Sequence, residues 1–220
     1  VNSLNIKISN DIRDNLPHFH VAVIEATIQT TKTTALDECI ASLQTRLKQT
    51  IDIKEVIHLD VIKDGRDGYK TLGKDPSRYR LAVESLYRRL VKGNKLYRIN
   101  DIVDIGNVIS IETRKSVAML DKDQIKGDVL IRLGTKSDAF EGIGRGPLNV
   151  ENIPVYEDDL GPFGSTTSDT DRTKITNQTT SLLMFIISFS GDASLQEDIA
   201  LTKTYFEKYL DFDRFKSSIV

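Results

Sequence analysis

The chain has a single cysteine, Cys39, so no intrachain disulfide can staple it. That excludes the disulfide framework of many small secreted domains and fits a reducing compartment. Tryptophan is absent, and only five prolines are spread over 220 residues, so there is no Pro-rich linker. Long apolar runs are also missing. Leu182 to Ile187, extended by Phe189 after Ser188, falls well short of the roughly 20 residues that span a bilayer and reads as a buried strand. Nor is there an excess of charge of either sign: 30 Lys and Arg against 32 Asp and Glu leave a net charge of −2. A protein that holds nucleic acid by charge alone carries a basic footprint, so any RNA contact here must come from a local patch. Val1-Asn2-Ser3 shows neither a basic end nor an apolar signal region, and the cytoplasm is the location expected by default.

What remains is an ordinary globular composition, with enough apolar material for a core. Leu4, Ile6 and Ile8 alternate with polar residues and predict a short strand; His20 to Ile28 predicts a second. Leu36, Cys39, Ile40, Leu43, Leu47 and Ile51 paint one face of a helix over Thr34 to Ile51, which makes Cys39 a small core residue. A shorter helix is expected over Ile53 to Lys63, ended by a loop at Asp64-Gly65-Arg66-Asp67-Gly68. Asp75-Pro76-Ser77 reads as a turn or helix entry, and Val83, Leu86, Tyr87 and Leu90 as the buried stripe of a helix that Gly93 stops. Ile99 to Glu112 is helical by pattern. Gly106 inside it costs about 1 kcal/mol relative to Ala, which suggests that something packs or binds close to the backbone there.

From Ser116 the period changes to that of strands. Candidates are Val117 to Leu120, Asp128 to Leu133, Ala139 to Gly142, Ile153 to Glu157 and Ser181 to Phe189, with a polar loop over Gly161 to Asp171. Leu195, Ile199, Thr202, Tyr205, Phe206, Tyr209 and Leu210 predict a long closing helix over Ser194 to Phe215. Helices early and strands late argue for an α+β fold. The expected organisation is a strand-helix segment, residues 1–63, packed on a core of residues 64–220 as one compact unit.

Several motifs carry no chemistry on inspection. Gly142-Ile143-Gly144-Arg145-Gly146 has the wrong spacing for a dinucleotide fingerprint and is followed by Pro147 rather than a helix. Asp121, Asp123 and Gly127 suggest a calcium loop, but the glycine is one place late and Arg132 stands where a bidentate Glu is needed. His18 and His20 share a strand face without further ligands, so no metal and no cofactor is expected. His58 lacks a Ser or Cys nucleophile at a recognisable spacing, and Glu157-Asp158-Asp159 reads as a solvated turn. Arg78, Arg80, Arg88 and Arg89 cluster with Tyr69, Tyr79 and Tyr87. Arginines among aromatics can hold phosphate and stack bases, and a solvated helix face is the alternative.

A linked series of motifs runs from about Arg66 to Phe189: Arg66-Asp67-Gly68-Tyr69-Lys70, Gly73 to Arg80, Glu84 to Arg89, Ile99-Asn100, Val103 to Asn107, Asp121 to Gly127 with Asp128 to Arg132, Val155 to Asp158, and Arg172 to Thr176 with Thr179. The series resembles the tRNA-editing domain of the phenylalanyl-tRNA synthetase beta subunit, and above all its free-standing relatives. The resemblance implies an α+β fold with helices packed on layered mixed sheets, and a cleft beside the Asn100–Asn107 helix. It implies tRNA or aminoacyl-tRNA as partner, with no DNA and no membrane. The ligand contacts it implies are Asn100, Asp104, Gly106, Asn107, Ala118 and Ile187; the RNA contacts are Arg66, Tyr69, Arg78, Arg88, Arg89 and Arg172. Where the family's pocket has a histidine, this chain has Ala118. Its pocket threonine is Gly106, and its tyrosine-reading glutamate falls in Met184 to Ser188, which holds no acid. Tyrosine-specific editing is therefore not carried over. The expected function is recognition of a tRNA 3′ end or aminoacyl-tRNA. The alternatives are a trans-acting deacylase and a small-molecule or protein-binding domain that has lost the site. No ATP motif is present, so a complete synthetase is not expected.

Overall fold

The computed structural model describes residues 4–28 and 34–220. In chain order the elements are β1 (Ile6–Ile8), α1 (Asn10–Asn15), β2 (His20–Ile28), α2 (Thr34–Thr50), α3 (Asp60–Thr71), α4 (Ala82–Val91), α5 (Asp101–Thr113), β3 (Val117–Asp121), β4 (Val129–Leu133), β5 (Glu141–Gly142), β6 (Gly146–Pro147), β7 (Pro154–Asp158), β8 (Gly161–Ser165), β9 (Ser181–Ser188), α6 (Leu195–Tyr209) and β10 (Phe212–Ile219). One sheet runs β10-β2-β9-β3, antiparallel throughout. A second runs β1-β4-β7-β8, with β1 and β4 parallel and the rest antiparallel. The fold is α+β, with helices on layered mixed sheets, as expected.

The layering follows from the period of two along the central strands. In β2, Ala22, Ile24, Ala26 and Ile28 join the core under the helices, while Val21 and Val23 join the core between the two sheets. In β9, Leu182, Met184 and Ile186 face the helices; Leu183, Phe185 and Ile187 face the second sheet. A sheet buried on both faces needs apolar side chains at every position, which is why this segment is the longest apolar run of the chain. β2 lies between β10 and β9, so the first 63 residues supply an inner strand of one sheet and, through β1, an edge of the other.

Four expectations need correction. Asp64 to Gly68 is not a loop but the middle of α3. Its glycines serve close packing: a Cβ on Gly65 would lie 2.7 Å from Leu81 Cδ1, and one on Gly68 would lie 2.5 Å from Phe189 Cδ1. The polar stretch from Gly161 begins with a strand, β8, paired with β7. Glu157 and Asp158 are not a solvated turn but the end of β7, and the Asp158 side chain is buried. The closing helix stops at Tyr209, and Phe212–Ile219 returns as an edge strand on β2. Phe212 and Phe215 fit a helical pattern by spacing, but their rings pack edge-to-face on Phe206 from the strand.

Candidate functional site

α5 sets the site. Asn100 caps it, its side chain accepting the Val103 N–H at 2.9 Å. The chain entering the helix is tied down by Asp104, whose carboxylate accepts from Arg98 Nε at 2.8 Å and from the Ile99 N–H at 3.0 Å. One turn further on, Gly106 leaves the helix backbone bare, and Met119 from β3 fills the space: a Cβ on Gly106 would lie 2.4 Å from Met119 Cγ. Met119 is therefore what packs close to this glycine. The two residues form part of the floor of a cleft of about 390 Å³.

Val103, Gly106 and Asn107 form the helical wall of this cleft, and Val117 and Met119 the strand side. Ser168 to Asp171, with Lys174 and Ile175, make the opposite wall; Ile99 and Ile143 stand at the rim. That loop is fastened by Ser165 Oγ, which donates to the Ser168 carbonyl at 2.7 Å, and by the Ile143 N–H, which donates to the Asp169 carbonyl at 2.9 Å. The lining is mostly apolar with a few convergent polar groups, and the volume lies within the range of small-ligand sites. Among the described residues nothing engages the Asn107 side chain, which leaves its amide able both to donate to and to accept from a ligand.

Asp169 is the most perturbed acid in the cleft. Burial raises its pKa from 3.8 to about 7, opposed only by the Ser165 N–H. Its carboxylate lies over Gly164, where a Cβ would stand 2.7 Å from Oδ1 and 2.7 Å from the Tyr156 ring. A larger residue at position 164 would push the acid aside. At neutral pH this carboxyl is poised between a hydrogen-bond donor and a base. Lys174 on the same wall is exposed and paired with Asp171 at 3.2 Å.

The ligand set read from the sequence divides. Gly106 and Asn107 line the cleft. Asn100 and Asp104 hold the helix entrance. Ala118 and Ile187 are buried on the opposite face of their sheet, in the core between the sheets, because they alternate with Met119 and Ile186. They do not reach the cleft.

The RNA set divides too. Arg66 is buried and ion-paired with Glu84, which also takes Arg88 at 3.2 Å. Tyr69 is fully buried, with its hydroxyl between Thr166 and Thr167. Arg172 grips Asp158 with two nitrogens, at 2.7 and 3.0 Å. Arg66, Tyr69 and Arg172 are thus withdrawn from any surface role by pairing and burial. Arg78 is exposed, with its guanidinium 5.4 Å from the Tyr79 ring. Arg89 lies 3.8 Å under the ring of Tyr97. No group of three or more His, Cys, Asp or Glu that could hold a metal occurs among the described residues. Asp169 and Ile143 were not legible from the sequence as cleft residues, since loops far apart in the chain converge there; Met119 takes the place expected of Ala118, because alternation along β3 turns the two to opposite faces.

Comparison with known proteins agrees with this fold. Residues 65–219 match the B3/4 domain model. Across 99% of its length the chain also superposes on an N-terminal fragment of the phenylalanyl-tRNA synthetase beta subunit from Pyrococcus horikoshii, with a TM-score of 0.51 at 10% identity. It covers 55% of that fragment, so it spans about half the length of the structure it resembles. No curated protein matches. No helix among the described residues is long and apolar enough to cross a membrane. With most of its length inside the matched model, the chain belongs to the B3/4 domain family, and its fold is that of the phenylalanyl-tRNA synthetase beta-subunit type.

Proposed function

We propose that the chain is a recognition module for the aminoacyl end of a tRNA, seated in the cleft beside α5. The observation that carries this reading is the cleft itself, in a chain of this family: an apolar floor at Met119 with Asn107, Asp169 and Lys174 around it. The floor suits an amino-acid side chain. The Asn107 amide and Lys174 suit ester and ribose oxygens, and ionised Asp169 suits an α-ammonium group. Calorimetry with a non-hydrolysable aminoacyl-adenosine amide tests it. Binding weakened about tenfold by Asn107→Ala, the loss of roughly one good hydrogen bond, is the expected result. Absence of binding at millimolar ligand would sink the reading.

Asp169 favours a second reading, a deacylase acting in trans. A carboxylate with a pKa near 7 can take a proton from water as that water attacks the ester carbonyl. The bond from the acyl carbon to the ribose oxygen then breaks, and the proton goes to that oxygen. Amino-acid release from a panel of mischarged tRNAs decides between the two. Release abolished by Asp169→Asn supports hydrolysis, and release no faster than in buffer leaves binding alone.

A further inference from the structure

The segment leading into α5 holds an unexplained feature. Residues 88–98 carry Arg88, Arg89, Lys92, Lys95 and Arg98 and no acid, in a chain whose net charge is −2. Arg88 and Arg98 are consumed by Glu84, Asp37 and Asp104. Arg89, Lys92 and Lys95 have no carboxylate partner among the described residues. Lys48 joins them from α2, its Nζ 3.2 Å from where a Cβ on Gly93 would stand.

Within this basic patch burial alternates along the chain. Leu96 is buried and Arg98 turns toward its acids, while Tyr97 is 69% and Ile99 65% exposed. Tyr97 and Ile99 are therefore both turned to solvent, two residues apart in the chain. Large side chains this exposed are normally left loose, but Tyr97 is not. Its ring rests on the Arg89 guanidinium at 3.8 Å, and Arg89 is fixed in turn by donating from Nε to the Lys95 carbonyl at 2.6 Å. Ile99 is already the rim of the cleft. A held aromatic face in a basic segment and a path to the cleft are the parts of a single-stranded RNA track.

We propose that the Tyr97 ring, braced by Arg89 in the basic segment that carries Lys92 and Lys95, is a stacking platform for an unpaired nucleobase of the RNA whose 3′ end enters the cleft past Ile99. The inference rests on the reading of the cleft as an aminoacyl-end site, and it places the preceding nucleotides on a surface distinct from that cleft. RNA is favoured over an acidic protein because an aromatic face is held on a cation of this basic segment and leads to a small-ligand cleft.

The test is fluorescence anisotropy of the full chain with a labelled, unstructured 12-nucleotide RNA that carries no amino acid. Tyr97→Ala should weaken binding about tenfold, the scale of one lost base-aromatic stack, and Tyr97→Phe should stay within about twofold of wild type. Lys92→Ala with Lys95→Ala should reduce the slope of log affinity against log salt by about 1.4, at roughly 0.7 per phosphate. Tyr97 is exposed, so its variants should melt as the wild type does. Tyr97→Ala binding RNA as the wild type does would overturn the platform, as would an acidic peptide of equal charge competing as well as RNA. The same samples titrated with the aminoacyl-adenosine amide separate the two readings. Amide binding without any Tyr97-dependent RNA binding removes the platform and leaves the cleft. Tyr97-dependent RNA binding without amide binding supports the platform and removes the cleft.

Discussion

Asp169→Asn is the substitution whose outcome follows most directly from the geometry. The change is isosteric and keeps an acceptor for the Ser165 N–H, but it removes the charge. In the folded chain Asp169 titrates at about 7, against an ordinary value of 3.8, because burial penalises its carboxylate. A raised carboxyl pKa means that the folded state binds more protons than the unfolded state between these values. Its contribution is full below the unfolded pKa and is lost as pH rises through the folded one. At about 1.36 kcal/mol per pH unit, the ceiling on the loss is about 4 kcal/mol. The side chain borders an open cleft, and water there lowers this to about 2–3 kcal/mol between pH 4.5 and 8.5. Urea denaturation of wild type and variant at both pH values measures it. The variant's stability relative to wild type should rise by that amount from the lower pH to the higher. A relative stability that does not change with pH would refute the assigned burial of the acid and, with it, the base chemistry of the second reading.

Three further outcomes follow from the same structure. Arg172→Ala leaves the buried Asp158 carboxylate with only the Lys126 and Leu160 backbone N–H groups, and should cost about 2–3 kcal/mol in urea denaturation. Burial opposes ionisation of Asp158, but Arg172 and these N–H groups together hold its pKa below the ordinary value. The stability this confers is lost as pH falls through the folded pKa, so the deficit of the variant should shrink in acid; a variant of wild-type stability would contradict the clamp. Gly106→Ala gains about 1 kcal/mol of helix propensity but must displace Met119, and should be destabilised by about 1–2 kcal/mol in the same assay. A more stable variant would mean that Met119 moves aside freely. Glu84→Gln weakens a buried carboxylate shared by Arg66, Arg80 and Arg88, and should lower the melting temperature by several degrees; an unchanged melting temperature would contradict that network.

The sequence made the layers legible because alternation and helical spacing are local. Leu182 to Ile187 announces a strand buried on both faces, and Leu36 to Leu47 a helix with one apolar side. It failed where one local signal has two uses. Gly65 and Gly68 look like turn residues, but they admit Leu81 and Phe189 against a helix. Phe212 and Phe215 fall inside the range read as the closing helix, but they lie on a strand that shares an aromatic cluster with Phe206. The candidate site was half legible. Gly106 and Asn107 could be read from α5, whereas Ala118 and Ile187 were assigned by motif position without the facing that alternation imposes. Asp169 and Ile143 reach the cleft only through pairing of distant loops, as in the Ile143 N–H to Asp169 carbonyl bond, and no local pattern encodes that.

The chain has two methionines, which face each other across β3 and β9. Met119 lines the floor under α5, and Met184 is fully buried in the core of the same sheet. Methyl-labelled methionine therefore gives two resonances, one reporting on the site and one on the core. Titration with a non-hydrolysable 3′-aminoacylamino RNA should shift the Met119 methyl saturably, shift it less in Asn107→Ala at equal ligand, and shift Met184, which lies behind Met119 and does not line the cleft, by a smaller amount. Two resonances unmoved at millimolar ligand would contradict the assignment of this cleft as the aminoacyl-end site.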